Sequence, residues 1–142
     1  EGKVTSGILP YCYSPEDDDP GCGYSDTIYM VKTNNKIYYI AIYYVIASSR
    51  VSAKGVRFFT VDNGKMNDTV HLIRTKTGLT SHIEYEIDNN LRGSDKPGGD
   101  GNILYDKKTN TIYIPLIWED GTITKNYIKY RFNGKYFEKT GK

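Results

Sequence analysis

The side chains with the clearest chemical potential are few and scattered. His82, Glu84 and Glu86 fall two apart, the spacing that gathers alternate residues on one face of a β-strand. A histidine beside carboxylates is the raw material of a general base, yet an ordinary exposed strand face shows the same alternation. Glu84 with Glu86, and Glu119 with Asp120, are paired carboxylates, but 17 acids in 142 residues make such pairs common. A glycosidase also needs its pair set across a scissile bond. Ser48 and Ser49 lack the strand-turn-helix context of a nucleophile elbow. The expectation is therefore a non-enzymatic protein with no catalytic residues to name. A polysaccharide or peptide hydrolase using Glu84, Glu86 or His82 is the alternative.

Binding chemistry is better represented. Lys125, Tyr127, Lys129 and Arg131 alternate basic groups with an aromatic ring, which suits an acidic glycan or a partner protein, although a solvated strand face has the same composition. Trp118, beside Glu119 and Asp120, offers a flat ring on which a sugar can stack. The loop Arg92-Gly93-Ser94-Asp95-Lys96-Pro97-Gly98-Gly99-Asp100-Gly101 is the most unusual segment. Its glycines let backbone amides approach a ligand, and long loops on a rigid sheet commonly carry binding. Arg92, Asp95 and Asp100 are its candidate contacts. It matches no phosphate-loop pattern, and its plainer role is a connector.

The acidic run Glu16–Asp19 suggests calcium, but it lacks the alternating carboxylate spacing of a calcium loop. Cys12 and Cys22 with the distant His71 and His82 do not form a zinc set of familiar spacing. No metal or cofactor is expected. The two cysteines bracket a polar, turn-rich stretch from Tyr13 to Gly21 that burial alone would not hold, and a disulfide across so short a loop stabilises by about 2–4 kcal/mol. A Cys12–Cys22 disulfide implies export, with two reduced surface thiols in a cytosolic protein as the alternative. The sequence starts at Glu1 rather than Met, as a processed or trimmed chain would, and removal of a signal or lipoprotein leader is one route to such a start. A periplasmic, lipoprotein-anchored or secreted location follows.

Lys and Arg number 19 against 17 Asp and Glu, so no net field favours nucleic acid or an anionic membrane. The most apolar run, Ile37 to Ala47, is too short to span a bilayer, and no transmembrane segment is expected. At this length one core forms, and two would be too small. The 14 tyrosines supply much of it, their rings packing while their hydroxyls find partners.

The elements that must position these groups read as strands. β-Branched and aromatic runs at Ile28–Val31, Ile37–Ala47, Gly55–Val61, Val70–Arg74, Ser81–Ile87, Ile103–Tyr105, Thr111–Trp118, Thr122–Phe132 and Tyr136–Glu138 are separated by turn residues. Asn34-Asn35, Asn63-Gly64, Asp120-Gly121 and Asn133-Gly134 tolerate the positive φ of tight hairpins. A short turn around Ser48–Lys54 is the other local expectation. The fold class is all-β: antiparallel meanders forming a β-sandwich or a strongly twisted barrel, with an irregular lead-in at 1–27 and one domain at 28–142.

Ile37–Ile46 is apolar on both faces, as a central covered strand would be. In Ser81–Asp88, Ile83, Tyr85 and Ile87 face inward. In Thr124–Phe132, Ile128, Tyr130 and Phe132 do so. If these two strands were neighbours, their oppositely charged outer faces would pair. Ile28-x3-Lys32-x2-Asn35-x-Ile37-Tyr38 matches Ile103-x3-Lys107-x2-Asn110-x-Ile112-Tyr113, and Asn63-Gly64-Lys65 matches Asn133-Gly134-Lys135. These matches suggest two related four-stranded repeats at 28–75 and 103–139. The expected inward parity of Val56–Val61, which does not match that of Tyr127–Arg131, counts against them.

Several segments, namely Tyr29-Met30-Val31, Tyr38-Tyr39, Ala47-Ser48-Ser49-Arg50, Asn102-Ile103-Leu104-Tyr105-Asp106 and Thr124-Lys125-Asn126-Tyr127-Ile128, resemble uncharacterised secreted β-rich proteins of gut Bacteroidetes. The resemblance spans most of 24–138. It implies an exported β domain and supplies no functional residues. In that lineage Asp-Thr-aliphatic triplets serve as O-glycosylation sites, which Asp26-Thr27-Ile28 and Asp68-Thr69-Val70 resemble. The resulting expectation is a module that binds a protein or glycan at the cell surface, with a structural or assembly module as a further alternative.

Overall fold

In the computed structural model the described residues are 23–46, 48–91 and 101–141. The expected disulfide between Cys12 and Cys22 and the acidic run Glu16–Asp19 lie outside them. Eleven strands occur among the described residues: β1 (Gly23–Lys32), β2 (Ile37–Ile46), β3 (Val51–Asp62), β4 (Lys65–Asn67), β5 (Ile73–Thr75), β6 (Gly78–Thr80), β7 (His82–Asp88), β8 (Leu104–Asp106), β9 (Thr111–Ile117), β10 (Ile123–Phe132) and β11 (Phe137–Thr140). A short 3-10 turn at Asn89–Leu91 follows β7. Strand β1 begins at Gly23, inside the stretch expected to be irregular. β4 and β6, three residues each, were too short to show alternation in the sequence. The turn expected around Ser48–Lys54 closes by Arg50, where the Ser48 Oγ accepts from the amides of Arg50 and Val51. Val51–Lys54 is already strand.

The strands form two sheets. β1, β2 and β3 are consecutive antiparallel neighbours, and the far edge of β3 is shared by β7, along Val51–Arg57, and β4, along Thr60–Asp62. The second sheet runs β6-β5-β11-β10-β9-β8 and is antiparallel except where β11 lies parallel to β5, Phe137 beside Ile73. The sheets pack as a sandwich and no closed barrel forms among the described residues, so the barrel alternative falls away. Because side chains alternate along a strand, one face of each sheet meets the other. Val31, Ile40, Ile42, Val56 and Phe58 of the first sheet join Ile73, Ile112, Ile114, Tyr130 and Phe137 of the second in one core. Phe58 stacks on Phe137 at 5.5 Å, and Tyr29 meets Tyr105 at 4.9 Å.

The inward residues expected on β7 and β10 are the ones the structure turns inward, Ile87 and Tyr130 being buried and Ile83, Tyr85, Ile128 and Phe132 packed at the core margin. The two strands lie in different sheets, however, so their charged outer faces do not pair.

The turns account for the meanders. Asn63 and Gly64, both at positive φ (52° and 75°), make the two-residue turn between β3 and β4, whose left-handed geometry follows the strand twist. Gly121 and Gly134, at 82° and 97°, serve the β9–β10 and β10–β11 hairpins. The β1–β2 hairpin needs no positive φ at Asn34 or Asn35. There the Thr33 hydroxyl accepts from the Lys36 amide and donates to the Lys36 carbonyl.

The repeated sequence motif does not mark equivalent positions. At its offset of 75 (103 − 28), Ile28 is 51% exposed where Ile103 is 5%, and Ile37 is 41% exposed where Ile112 is 0%. The hairpin pairs Lys32–Ile37 and Asp106–Thr111 align at an offset of 74 (106 − 32), and one residue of slip turns every side chain to the opposite face. Both meanders keep their strands in chain order. On the third strand of each, Val56 and Phe58 point inward like Ile128 and Tyr130, contrary to the parity expected from sequence, since Phe58 and Phe59 disguise which face of β3 is the core. Ile73–Thr75, placed in the first repeat by sequence, belongs to the second sheet.

Candidate functional site

The outer face of the second sheet gathers the interleaved basic and aromatic residues. On β10, Tyr127, Lys129 and Arg131 point away from the core that takes Ile128, Tyr130 and Phe132. The register sets Tyr127 beside Pro115, Lys129 beside Tyr113, and Arg131 beside Thr111 on β9. Tyr113 meets Tyr127 edge-on with ring centroids 6.2 Å apart, and the Lys129 Nζ stands 5.8 Å above the Tyr113 ring. That is the geometry in which a ring face attracts a cation. Leu104 of β8, paired with Tyr113, extends the face apolarly. Arg131 also lies beside Glu138 of β11 in register. Among the described residues none of Lys125, Lys129 and Arg131 is held in an ion pair.

Lys125 and Trp118 sit at the turn end of the same hairpin. Lys125 is exposed in the irregular stretch between Ile123 and Tyr127, where the register with β9 shifts. Trp118 is 60% exposed, its backbone fixed by the bond from its amide to the Thr122 carbonyl and by the Gly121 amide bonding to its own carbonyl. Five sequence candidates thus share one hairpin, three of them on one face. Arg92, Asp95 and Asp100 lie outside the described residues. Sequence reasoning missed Tyr113, whose place in the cluster depends on the β9–β10 register. Its only signal was sharing parity with Thr111 and Pro115 against Ile112 and Ile114.

A second surface is apolar. The outer face of the first sheet presents Ile28 and Met30 of β1, Ile37 of β2, Val61 of β3 and Met66 of β4, all exposed. On the same face Tyr39 stacks on Phe59 at 5.2 Å. The same face continues onto β7, where His82, Glu84 and Glu86 are exposed. The Tyr43 hydroxyl donates to Glu84 Oε2 at 2.6 Å, and Tyr43 lies across Gly55, where a side chain would overlap its ring.

Proton affinities shift mainly at the opposite, inward faces. Burial, helped by the neighbouring Asp106 charge, raises the Tyr105 phenol above its usual value, and burial alone raises Tyr130. Tyr105 donates to Asn110 Oδ1 at 2.7 Å. Asp106 is lowered by bonds from the Thr109 hydroxyl and the Lys108 amide. Among the described residues no group of three or more His, Cys, Asp or Glu could hold a metal ion, and no helix is long and apolar enough to cross a membrane.

Comparison with known proteins finds no matching family model, no matching curated protein and no matching solved structure.

Proposed function

We propose that this domain is a non-enzymatic, exported recognition module that takes an acidic glycan on the outer face of the β9–β10 hairpin. The observation that carries this reading is the cluster of Tyr113, Tyr127, Lys129 and Arg131 on an outward sheet face, with Lys129 over a tyrosine ring and its charge unpaired among the described residues. Aromatic plates favour the C–H faces of sugar rings, and the cations add attraction for uronate or sulfate groups. Exposed charges are screened by salt, so such binding weakens as ionic strength rises. Trp118 extends the surface at the hairpin turn. The open placement of His82, Glu84 and Glu86 speaks for recognition over hydrolysis, since Glu84 is engaged by Tyr43. Kinship with secreted proteins of gut Bacteroidetes would fit a cell-surface or periplasmic setting.

The test is calorimetric titration with sulfated or uronate-bearing oligosaccharides beside neutral ones of the same length. Acidic sugars are expected to bind and neutral ones to bind much more weakly. Tyr127→Ala with Lys129→Ala should lower affinity about tenfold or more, a loss of about 1.4 kcal/mol, with the fold retained because both side chains lie outside the core. Equal binding of acidic and neutral sugars, or unchanged affinity in the double variant, would overturn this reading. A second reading, a protein partner, is favoured by the exposed apolar outer face of the first sheet. Sulfate and uronate sugars would then fail to bind while a protein ligand buried Val61 and Met66.

A further inference from the structure

The first sheet ends in two unlike edges. One is shared between β7 and the three residues of β4. The other is the whole ten-residue length of β1, which among the described residues pairs only with β2. Both edges of the second sheet are three-residue strands, β6 and β8. Very short edge strands are one of the ways folds avoid pairing with other chains, and a long edge with apolar side chains lacks that protection. β1 contains no proline, and Ile28 and Met30 point outward from it, 51% and 49% exposed.

We infer that β1 pairs antiparallel with β1 of a second copy of this chain, around a twofold axis at Tyr29. Such a contact uses the same strand on both sides and closes after two copies. The register is picked out by the sequence of the strand itself. Centred on Tyr29, it sets Ile28 opposite Met30 and Thr27 opposite Val31, each pair occurring twice. Apolar residues thus meet apolar residues on the outer face, an arrangement that favours cross-strand pairing. Moving the axis one residue to Ile28 carries Met30 opposite the irregularity between Ser25 and Thr27. Moving it to Met30 puts Lys32 opposite Ile28. Both lose the apolar pairing of Ile28 with Met30.

The irregularity between Ser25 and Thr27 limits close pairing to the stretch that follows it. In the Tyr29 register, the outer row formed by Met30, Tyr39 and Phe59 continues across the axis into Ile28 and Ala41 of the second copy. Two five-stranded sheets become one continuous sheet. A contact along one strand buries less than a standard stable interface, so the dimer forms at about 0.1 mM and above.

The experiment is sedimentation equilibrium of the full chain from about 1 μM to about 1 mM, joined to amide hydrogen exchange at both ends of that range. The expected result is a doubling of mass across the range, with added protection confined to β1. Met30→Lys, which sets a cation opposite Ile28 twice, should weaken dimerisation at least tenfold while leaving the monomer's melting unchanged. Met66→Lys, on the same outer face but at the far edge, should leave it intact. A monomer throughout the range overturns the inference. So does a dimer that Met66→Lys disrupts as strongly as Met30→Lys, since that marks face-to-face stacking.

Discussion

Two tyrosines link the core to alkaline pH. Tyr105 and Tyr130 hold their protons more tightly in the folded chain than the ordinary phenol value of 10.0, chiefly because burial disfavours the phenolate. The unfolded chain therefore releases these protons first as pH rises. Their stabilising contribution is complete below about pH 10 and is lost as pH climbs through the raised folded values. Urea denaturation measured between about pH 9 and about pH 11 should show wild-type stability falling more steeply than that of Tyr130→Phe, which has no phenol to ionise there. Tyr105→Phe should flatten the same slope. At neutral pH it should also lose about 1 kcal/mol from the missing bond to Asn110. Parallel slopes in all three proteins would mean that burial does not set these proton affinities.

At the scale of strands, the join of β2, β3 and β7 rests on a missing side chain. Gly55 leaves room for the Tyr43 ring to cross β3 and reach Glu84 on β7. Gly55→Ala should push that ring aside and cost about 1–3 kcal/mol. Tyr43→Phe should cost about 1 kcal/mol or less, because Glu84 is open to water. In a double-mutant cycle the two losses should be far from additive, since the alanine already breaks the hydrogen bond that phenylalanine deletes. Additive losses would place the strain elsewhere.

The strands themselves were legible in sequence wherever alternation was clean, as in His82–Asp88 and Ile123–Phe132, because a half-buried strand writes its burial into every second residue. β3 was harder, since Phe58 and Phe59 are both buried on opposite faces, and a three-residue strand such as β4 has no period to read. The site followed the same division. Tyr127, Lys129 and Arg131 share a face by parity alone, whereas Tyr113 joins them only through a register set by the hairpin turn. Pairing between sheets, and hence the separation of β7 from β10, depends on contacts that no local pattern encodes.

Considered whole, the two sheets are not two halves of the chain. After the first four strands the chain crosses to the second sheet for β5 and β6, returns for β7 and crosses again for β8 onward. The first sheet therefore closes only after the chain has already supplied β5 and β6 to the second, and the sandwich should unfold as a unit. Phe137, fully buried between Phe58 and Phe132, is where this shows. Phe137→Ala should cost about 3–5 kcal/mol, and hydrogen exchange should rise together in β3 and β10. Loosening of the second sheet alone would argue against a single cooperative unit. The parallel contact of Ile73 with Phe137 has a further result during synthesis. The two residues are 64 positions apart (137 − 73), which at ribosomal speeds of about 5–20 residues per second is roughly 3–13 s. For that interval a nascent chain carries the apolar Leu72-Ile73 pair without the strand that covers it, and chaperone contacts during translation should concentrate there.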